Sequence, residues 1–177
     1  MKWKELINNS LHIVFVGLNP GIRSFETQCF YAHPSNRFWK LLHEAGFTSR
    51  QLPPEDYAEL LTWNIGLLDL VSRPTLSGNE LSPREFRTGR EKLIATAKSY
   101  QPLWLAANGL SVGRWLSGDK KIFEYGEWGV LPDTTIRLWV LPSSSGRAAK
   151  HQGKSFTYAD KLREWKRFHD SVCPPTV

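Results

Sequence analysis

The sequence predicts an α/β fold, a three-layer α/β/α sandwich around a short, mostly parallel central sheet, built as one domain over residues 1–177. Three observations point to it. Short continuous apolar runs recur along the chain, as strands buried on both faces do. Segments with helical apolar spacing lie between those runs, and strands alternating with helices pack as layers around a parallel sheet. Finally, 177 residues at 41% hydrophobic content suffice for one core and are too few for two comfortable ones.

His12 to Gly17 supplies the first predicted strand, with Ile13, Val14, Phe15 and Val16 ended by glycine; Leu103–Ala107 and Leu138–Leu141 repeat the pattern. The best-marked helix starts at Ser82, where Ser82 and Glu85 make a capping-box pattern, Pro83 takes the first helical position, and Phe86, Leu93, Ala97 and Tyr100 recur at helical spacing. Ser35 to Ala45 reads as a helix stopped by Gly46, and Tyr57, Leu60 and Leu61 as a short one after Pro53 and Pro54. Ser111 is expected to cap a brief helix. Thr157 is expected to cap the last one, with Leu162, Trp165 and Phe168 inward and Lys161, Arg163 and Lys166 toward solvent.

Composition narrows the function classes. Cys29 and Cys173 are the only cysteines and form no CxxC, which argues against a disulfide scaffold, a four-thiolate cluster or a zinc ribbon. The five histidines show neither HExxH nor ligand spacing with a carboxylate, so no metal is expected. No apolar run approaches the roughly 20 residues of a membrane helix, and a reducing, cytoplasmic setting is expected. Lysine plus arginine is 23 against 17 for aspartate plus glutamate, an excess that favours an anionic partner such as nucleic acid.

In open α/β sheets ligands sit beyond the carboxyl ends of the strands, which directs attention to the loops after Val16 and Leu141. Gly17-Leu18-Asn19-Pro20-Gly21 holds one amide in a stiff turn where a backbone can approach a ligand. As a bare pattern it is as readily a structural turn. Asp69, bracketed by Leu67, Leu68, Leu70 and Val71, is a carboxylate in apolar surroundings. It either pairs structurally, with Arg73 or a turn, or serves as a general base. From Ser143 to Ser155 three cations, Arg147, Lys150 and Lys154, stand among serines and glycines with no acid, which suits phosphate contacts or a solvated loop. Gly153-Lys154-Ser155 suggests a P-loop, but the required glycine five positions before Gly153 is Ala148.

Gly17–Gly21, Tyr31-Ala32-His33-Pro34-Ser35-Asn36-Arg37-Phe38-Trp39, Gly66–Thr75, Lys92-Leu93-Ile94 and Leu141-Pro142-Ser143-Ser144-Ser145-Gly146-Arg147 come in an order and spacing that is specific and spans most of the chain. Together they resemble the mismatch-specific uracil-DNA and thymine-DNA glycosylase family, within the uracil-DNA glycosylase superfamily. The resemblance implies the fold of that superfamily and a monofunctional, cofactor-free enzyme that extrudes uracil from double-stranded DNA, especially at G:U mismatches or other damaged bases, and hydrolyses its glycosidic bond as a monomer.

Residue by residue, Asn19 falls on the family's catalytic asparagine, which positions the attacking water, and Tyr31 on the aromatic that stacks on the extruded base. Leu18 and Gly21 lie where the backbone approaches the base, with Arg23 and Ser24 beside them. Ser143, Ser144, Ser145, Gly146 and Arg147 match the segment that penetrates the duplex, Arg147 at the wedge, with Lys150 following as a DNA contact. The residue type at Asp69 varies among relatives, which leaves its role open. His33-Pro34-Ser35 comes early and opens a helix, so His33 is expected to be structural. A non-catalytic basic module that binds nucleic acid, and less readily a nucleotide-binding enzyme, are the rival readings.

Overall fold

Five strands build the central sheet: β1 (Ile13–Gly17), β2 (Ile65–Asp69), β3 (Trp104–Asn108), β4 (Gly126–Val130) and β5 (Arg137–Leu141). The computed structural model describes residues 2–9, 11–146 and 150–173, and in it the strands lie in the order β2-β1-β3-β5-β4. β1, β2, β3 and β5 pair in parallel, and β4 runs antiparallel to β5 at one edge. The helices are α1 (Ile22–Thr27), α2 (Phe38–Glu44), α3 (Pro83–Tyr100), α4 (Leu110–Ser117) and α5 (Tyr158–Val172), with 3-10 segments at Pro54–Trp63 and Gly78–Glu80. None of the described helices is long and apolar enough to cross a membrane.

Alternation along the strands produces the three layers. Ile13, Phe15, Ile65, Leu67, Trp104, Ala106, Trp139 and Leu141 share a core with Phe38, Leu41 and Leu42 of α2 and Trp165 and Phe168 of α5. Val14, Val16, Leu68, Leu105, Ala107, Leu138 and Val140 share the other with Phe86, Leu93 and Ala97 of α3 and Val112 and Leu116 of α4. Phe15 is the hub of the first core. Its ring stacks on Trp165 at 5.4 Å and meets Phe38, Phe47 and Phe168 edge-on.

The expected strands are β1, β3 and β5; the expected capping box forms at Ser82, which accepts from Glu85 N, and Thr157 caps α5 as expected, with Asp160 completing a second box there. Other expectations need correction. α4 is capped by Gly109 rather than Ser111. Gly109 has φ +119, and its N–H donates to Leu141 O at 2.9 Å, a conformation and contact that favour glycine. α2 starts at Phe38 instead of Ser35, because Asn36 Oδ1 accepts from Phe38 N and turns the preceding residues. The helix after Pro53 is 3-10.

Two strands of the sheet carry no readable apolar pattern. β2 is interrupted by Gly66, where a Cβ would lie 2.7 Å from Leu6 O; glycine lets the N-terminal segment pair through Leu6 and Leu67. β4 is an exposed, bulged edge with glycines at both Gly126 and Gly129. The stretch expected as one long loop also contains a hairpin, β6 (Lys150–His151) and β7 (Lys154–Ser155), turning through Gln152 and Gly153, both at positive φ. Gly153-Lys154-Ser155 therefore belongs to a hairpin, and among the described residues no phosphate-cradling strand–loop–helix surrounds it.

Phe15→Ala should lower the unfolding free energy by about 3–5 kcal/mol, read as a lower urea midpoint at unchanged slope. A loss under about 1 kcal/mol would show that the rings around it close the gap, contrary to the packing described.

Candidate active site

A cavity of about 660 Å³ opens at the carboxyl ends of β1 and β2, and it gathers four segments far apart in the chain: Gly17–Ser24, Tyr31–Asn36, Asp69 with Thr75–Gly78, and Ser143–Ser145. Asn19 occupies its rim on the turn that leaves β1. The Asn19 Nδ2 donates to Arg73 O at 2.9 Å and to Thr75 Oγ1 at 2.7 Å. A backbone carbonyl only accepts, so the amide is oriented with nitrogen toward residues 73–75, and Oδ1 is left as an acceptor for the cavity. The two loops are further tied by Thr75 N donating to Pro20 O and by the Gly21–Thr75 bridge.

Tyr31 sits at φ 53, a strained conformation for a residue with a side chain, and its ring stacks on Phe38 at 3.9 Å and 16°. Phe38 is itself wedged edge-on between Phe15 and Trp165, so the tyrosine rests on a rigid base with its hydroxyl turned toward the end of β1. Burial, then the neighbouring Asp69 carboxylate, pushes the phenol pKa well above its ordinary value. No atom of the described residues completes a hydrogen bond to this hydroxyl, although Asn108 lies near enough to counter part of the rise.

Asp69 ends β2 and pairs in register with Gly17. A Cβ on Gly17 would collide with Asp69 Oδ1 and stand 3.1 Å from the Tyr31 hydroxyl, so glycine makes room for both. The other carboxylate oxygen, Oδ2, accepts from Trp3 Nε1 at 2.8 Å. Burial pushes the Asp69 pKa up to about 7, with the Trp3 bond opposing the rise. Arg73 is not its partner; that guanidinium pairs with Glu85 and donates to Glu80 O.

Leu18 lines the cavity with its carbonyl tied to Val71 N, and Gly21 has open space where a Cβ would be. Ser24, on α1, is buried and accepts from Ala32 N, which leaves its hydroxyl proton for a second partner. His33 stands at the rim. Its Nδ1 accepts from Ser35 N, so the neutral ring carries its proton on Nε2.

The segment after β5 is braced from three sides. Ser144 is fully buried, with its N–H and hydroxyl on the Asn108 amide and its carbonyl on Arg37 N, so Ser144 braces the loop. Ser145 O accepts from Lys161 Nζ at 2.9 Å, and Trp165 Nε1 donates to Pro142 O. Lys161 is thus buried, contrary to the expected solvent position, and burial, then Arg37, lowers its pKa. At Gly146 a Cβ would meet Ser35 O at 2.7 Å. Lys150 is exposed on β6, Ser143 and Ser145 line the cavity, and Arg147 lies outside the described residues.

Trp3, Thr75, Asn108 and Lys161 are the residues that sequence reasoning missed. Asn108 ends a buried strand at the same end as Gly17 and Asp69, a signal that was available; Trp3 carried none. Among the described residues no cluster of three or more histidines, cysteines or acids is placed to hold a metal.

The fold and the cavity at the strand ends define an α/β protein with its site at the carboxyl edge of a parallel sheet. The family model for the Uracil DNA glycosylase superfamily matches residues 5–167, and the chain belongs to that superfamily. Its members are DNA glycosylases, hydrolases of base excision repair that act on uracil-containing DNA.

Asp69 gives stability a defined pH dependence. Between the ordinary carboxylate range and about 7 the folded protein keeps a proton that the unfolded chain releases, so stability falls as pH rises through that window and then levels off. Asp69→Asn, still an acceptor for Trp3, should raise Tm at about pH 8 and change it little at about pH 4. An equal change at both would contradict the buried, proton-holding carboxyl.

Proposed function

We propose that the protein is a monofunctional, mismatch-specific uracil-DNA glycosylase that extrudes uracil, preferentially opposite guanine, and leaves an abasic site. One observation carries the reading: parts of the segments that resemble that branch of the superfamily, from Gly17–Gly21, Tyr31–Asn36, Asp69 and Thr75, and Ser143–Ser145, meet around one cavity large enough for a nucleotide-sized group.

The chemistry divides among these residues. Asn19 Oδ1 accepts a hydrogen from the water and aims its oxygen at C1′; an amide cannot take the whole proton. Asp69, held near neutrality, takes it as the oxygen–C1′ bond forms and the C1′–N1 bond breaks, with the electron pair leaving on the uracil ring. The proton then passes from Asp69 to the departing base or to solvent. Tyr31 offers the extruded base an aromatic support backed by Phe38, and such a stack is worth about 1–3 kcal/mol. The backbone around Leu18 and Gly21, with the Ser24 hydroxyl, meets the base edge. Arg147 fills the space vacated in the duplex, carried on the braced Ser143–Gly146 segment, while Lys150 contacts phosphate. No lysine stands among the cavity-lining residues of the matched segments as an attacking amine, so no lyase step is expected.

The test incubates the purified protein, with EDTA, on end-labelled duplexes holding one G:U, A:U or G:T pair, followed by alkali. Cleavage strongest at G:U is expected, and Asn19→Ala should lose at least about 100-fold in rate while binding the duplex nearly as well. Wild-type rates in Asn19→Ala would remove it from the mechanism; tight binding without cleavage would leave a nucleic-acid-binding module. Arg147→Ala should weaken binding to duplex more than to single strands, measured side by side by fluorescence anisotropy. Equal losses would reduce Arg147 to a phosphate contact.

A further inference from the structure

Behind the base cavity lies a second one of about 460 Å³, between the N-terminal segment, the residues after β2, and α3. Trp3 and Asp69 line both, so this pair forms the partition between them. Trp3 is buried and its ring is clamped by Phe30 at 4.8 Å and Phe25 at 6.3 Å, so the indole has one direction in which to donate. That direction ends on Asp69 Oδ2, 66 positions away.

We infer that Trp3 is a positioning residue for the reaction: its indole N–H holds Asp69 Oδ2, so that Oδ1 stays turned toward the space over Gly17, into which the unpartnered Tyr31 hydroxyl also faces. This rests on the reading of Asp69 as the proton acceptor. A carboxylate at a strand end has two χ angles to fix, and the strand register fixes neither. One donor on Oδ2 leaves a single oxygen for the reacting water, and Gly17 keeps the approach to it clear. A water between Oδ1 and the Tyr31 hydroxyl would satisfy both groups, and it marks where a proton can be exchanged.

The groups that face this carboxyl are few. On the cavity side the Tyr31 hydroxyl stands nearest, with the neutral Asn108 amide beside it, and Arg23, Glu26 and His33 line the same cavity. On the rear side, Glu5 of the N-terminal segment pairs with Lys92 of α3, and Arg73 of the loop after β2 pairs with Glu85, leaving Arg84 at the rim. Trp3 is the only described residue whose hydrogen bond to Asp69 opposes the effect of burial. Its loss should therefore raise the pH at which Asp69 becomes a base. An indole that merely fills the core would affect folding and the plateau rate, and not that pH.

Two readouts decide the matter. In 15N-labelled wild type, one indole N–H resonance, absent from Trp3→Phe, should titrate with a midpoint near 7 and become static in Asp69→Asn. Single-turnover cleavage of a G:U duplex should show an acid limb that Trp3→Phe moves up by about 1 pH unit, with the plateau largely recovered at high pH. An indole that does not titrate, or a limb that stays in place while Trp3→Phe lowers the plateau, overturns the inference. If Trp3→Phe does not fold, the indole titration of wild type against Asp69→Asn decides alone. Absence of cleavage by the wild type at every pH overturns the glycosylase reading and this inference with it, whereas cleavage with an unmoved limb overturns only the role of Trp3.

Discussion

Side chains alternate across a strand, so the parallel register that sets Gly17 beside Asp69 also decides from which face of the sheet the Asp69 side chain leaves. Asp69 continues the face of Ile65 and Leu67, the face that packs with Trp3 and Phe30, and it is the only member of β2 that is not fully buried. A slip by one residue would turn it toward α3 and leave the cavity without an ionisable floor. Everything else at the site is arranged around that pairing. Gly17 gives up its side chain, Tyr31 accepts a left-handed backbone to bring its hydroxyl there, and Asn19 projects from the turn that the strand end begins.

Long-range polar bonds close the site. Asn19 ties the first loop to residues 73–75, Asn108 and Lys161 hold the segment after β5, and Trp3 holds Asp69. The Asn108 amide satisfies buried groups that would cost about 1–3 kcal/mol if left unpaired, and each of the others fixes a side chain or carbonyl that the proposed chemistry uses. The cost appears at Asp69 and Tyr31, whose ionised forms burial disfavours. A carboxyl held near neutrality is also one that can take a proton at physiological pH.

Locally encoded features were legible in the sequence. The Ser82–Glu85 box and the Thr157 cap act within one helical turn, and the apolar runs of β1, β3 and β5 need only period and length to be seen. Gly17–Gly21, Tyr31 and the Ser143–Arg147 segment were legible as motifs, although neither the cavity nor the bracing role of Ser144 could be read from them. β2 and β4 were hidden because their glycines answer to neighbours, Gly66 to Leu6 and Gly126 and Gly129 to an edge with positive φ. Lys161 misled by its charge. Its spacing with Trp165, Phe168 and Val172 is that of the buried stripe of α5, but its acceptor, Ser145 O, lies 16 positions away. Trp3 was invisible for the same reason, since its partner is set by tertiary structure alone.

On this reading the cavity severs the bond between uracil and its sugar and leaves the DNA backbone whole. Mass spectrometry of a G:U duplex incubated with excess enzyme and EDTA reads both outcomes in one spectrum. Free uracil should appear in step with an intact strand lighter by one base and heavier by one hydroxyl. A strand cut without free uracil, or a duplex recovered unchanged at saturating protein, would contradict it.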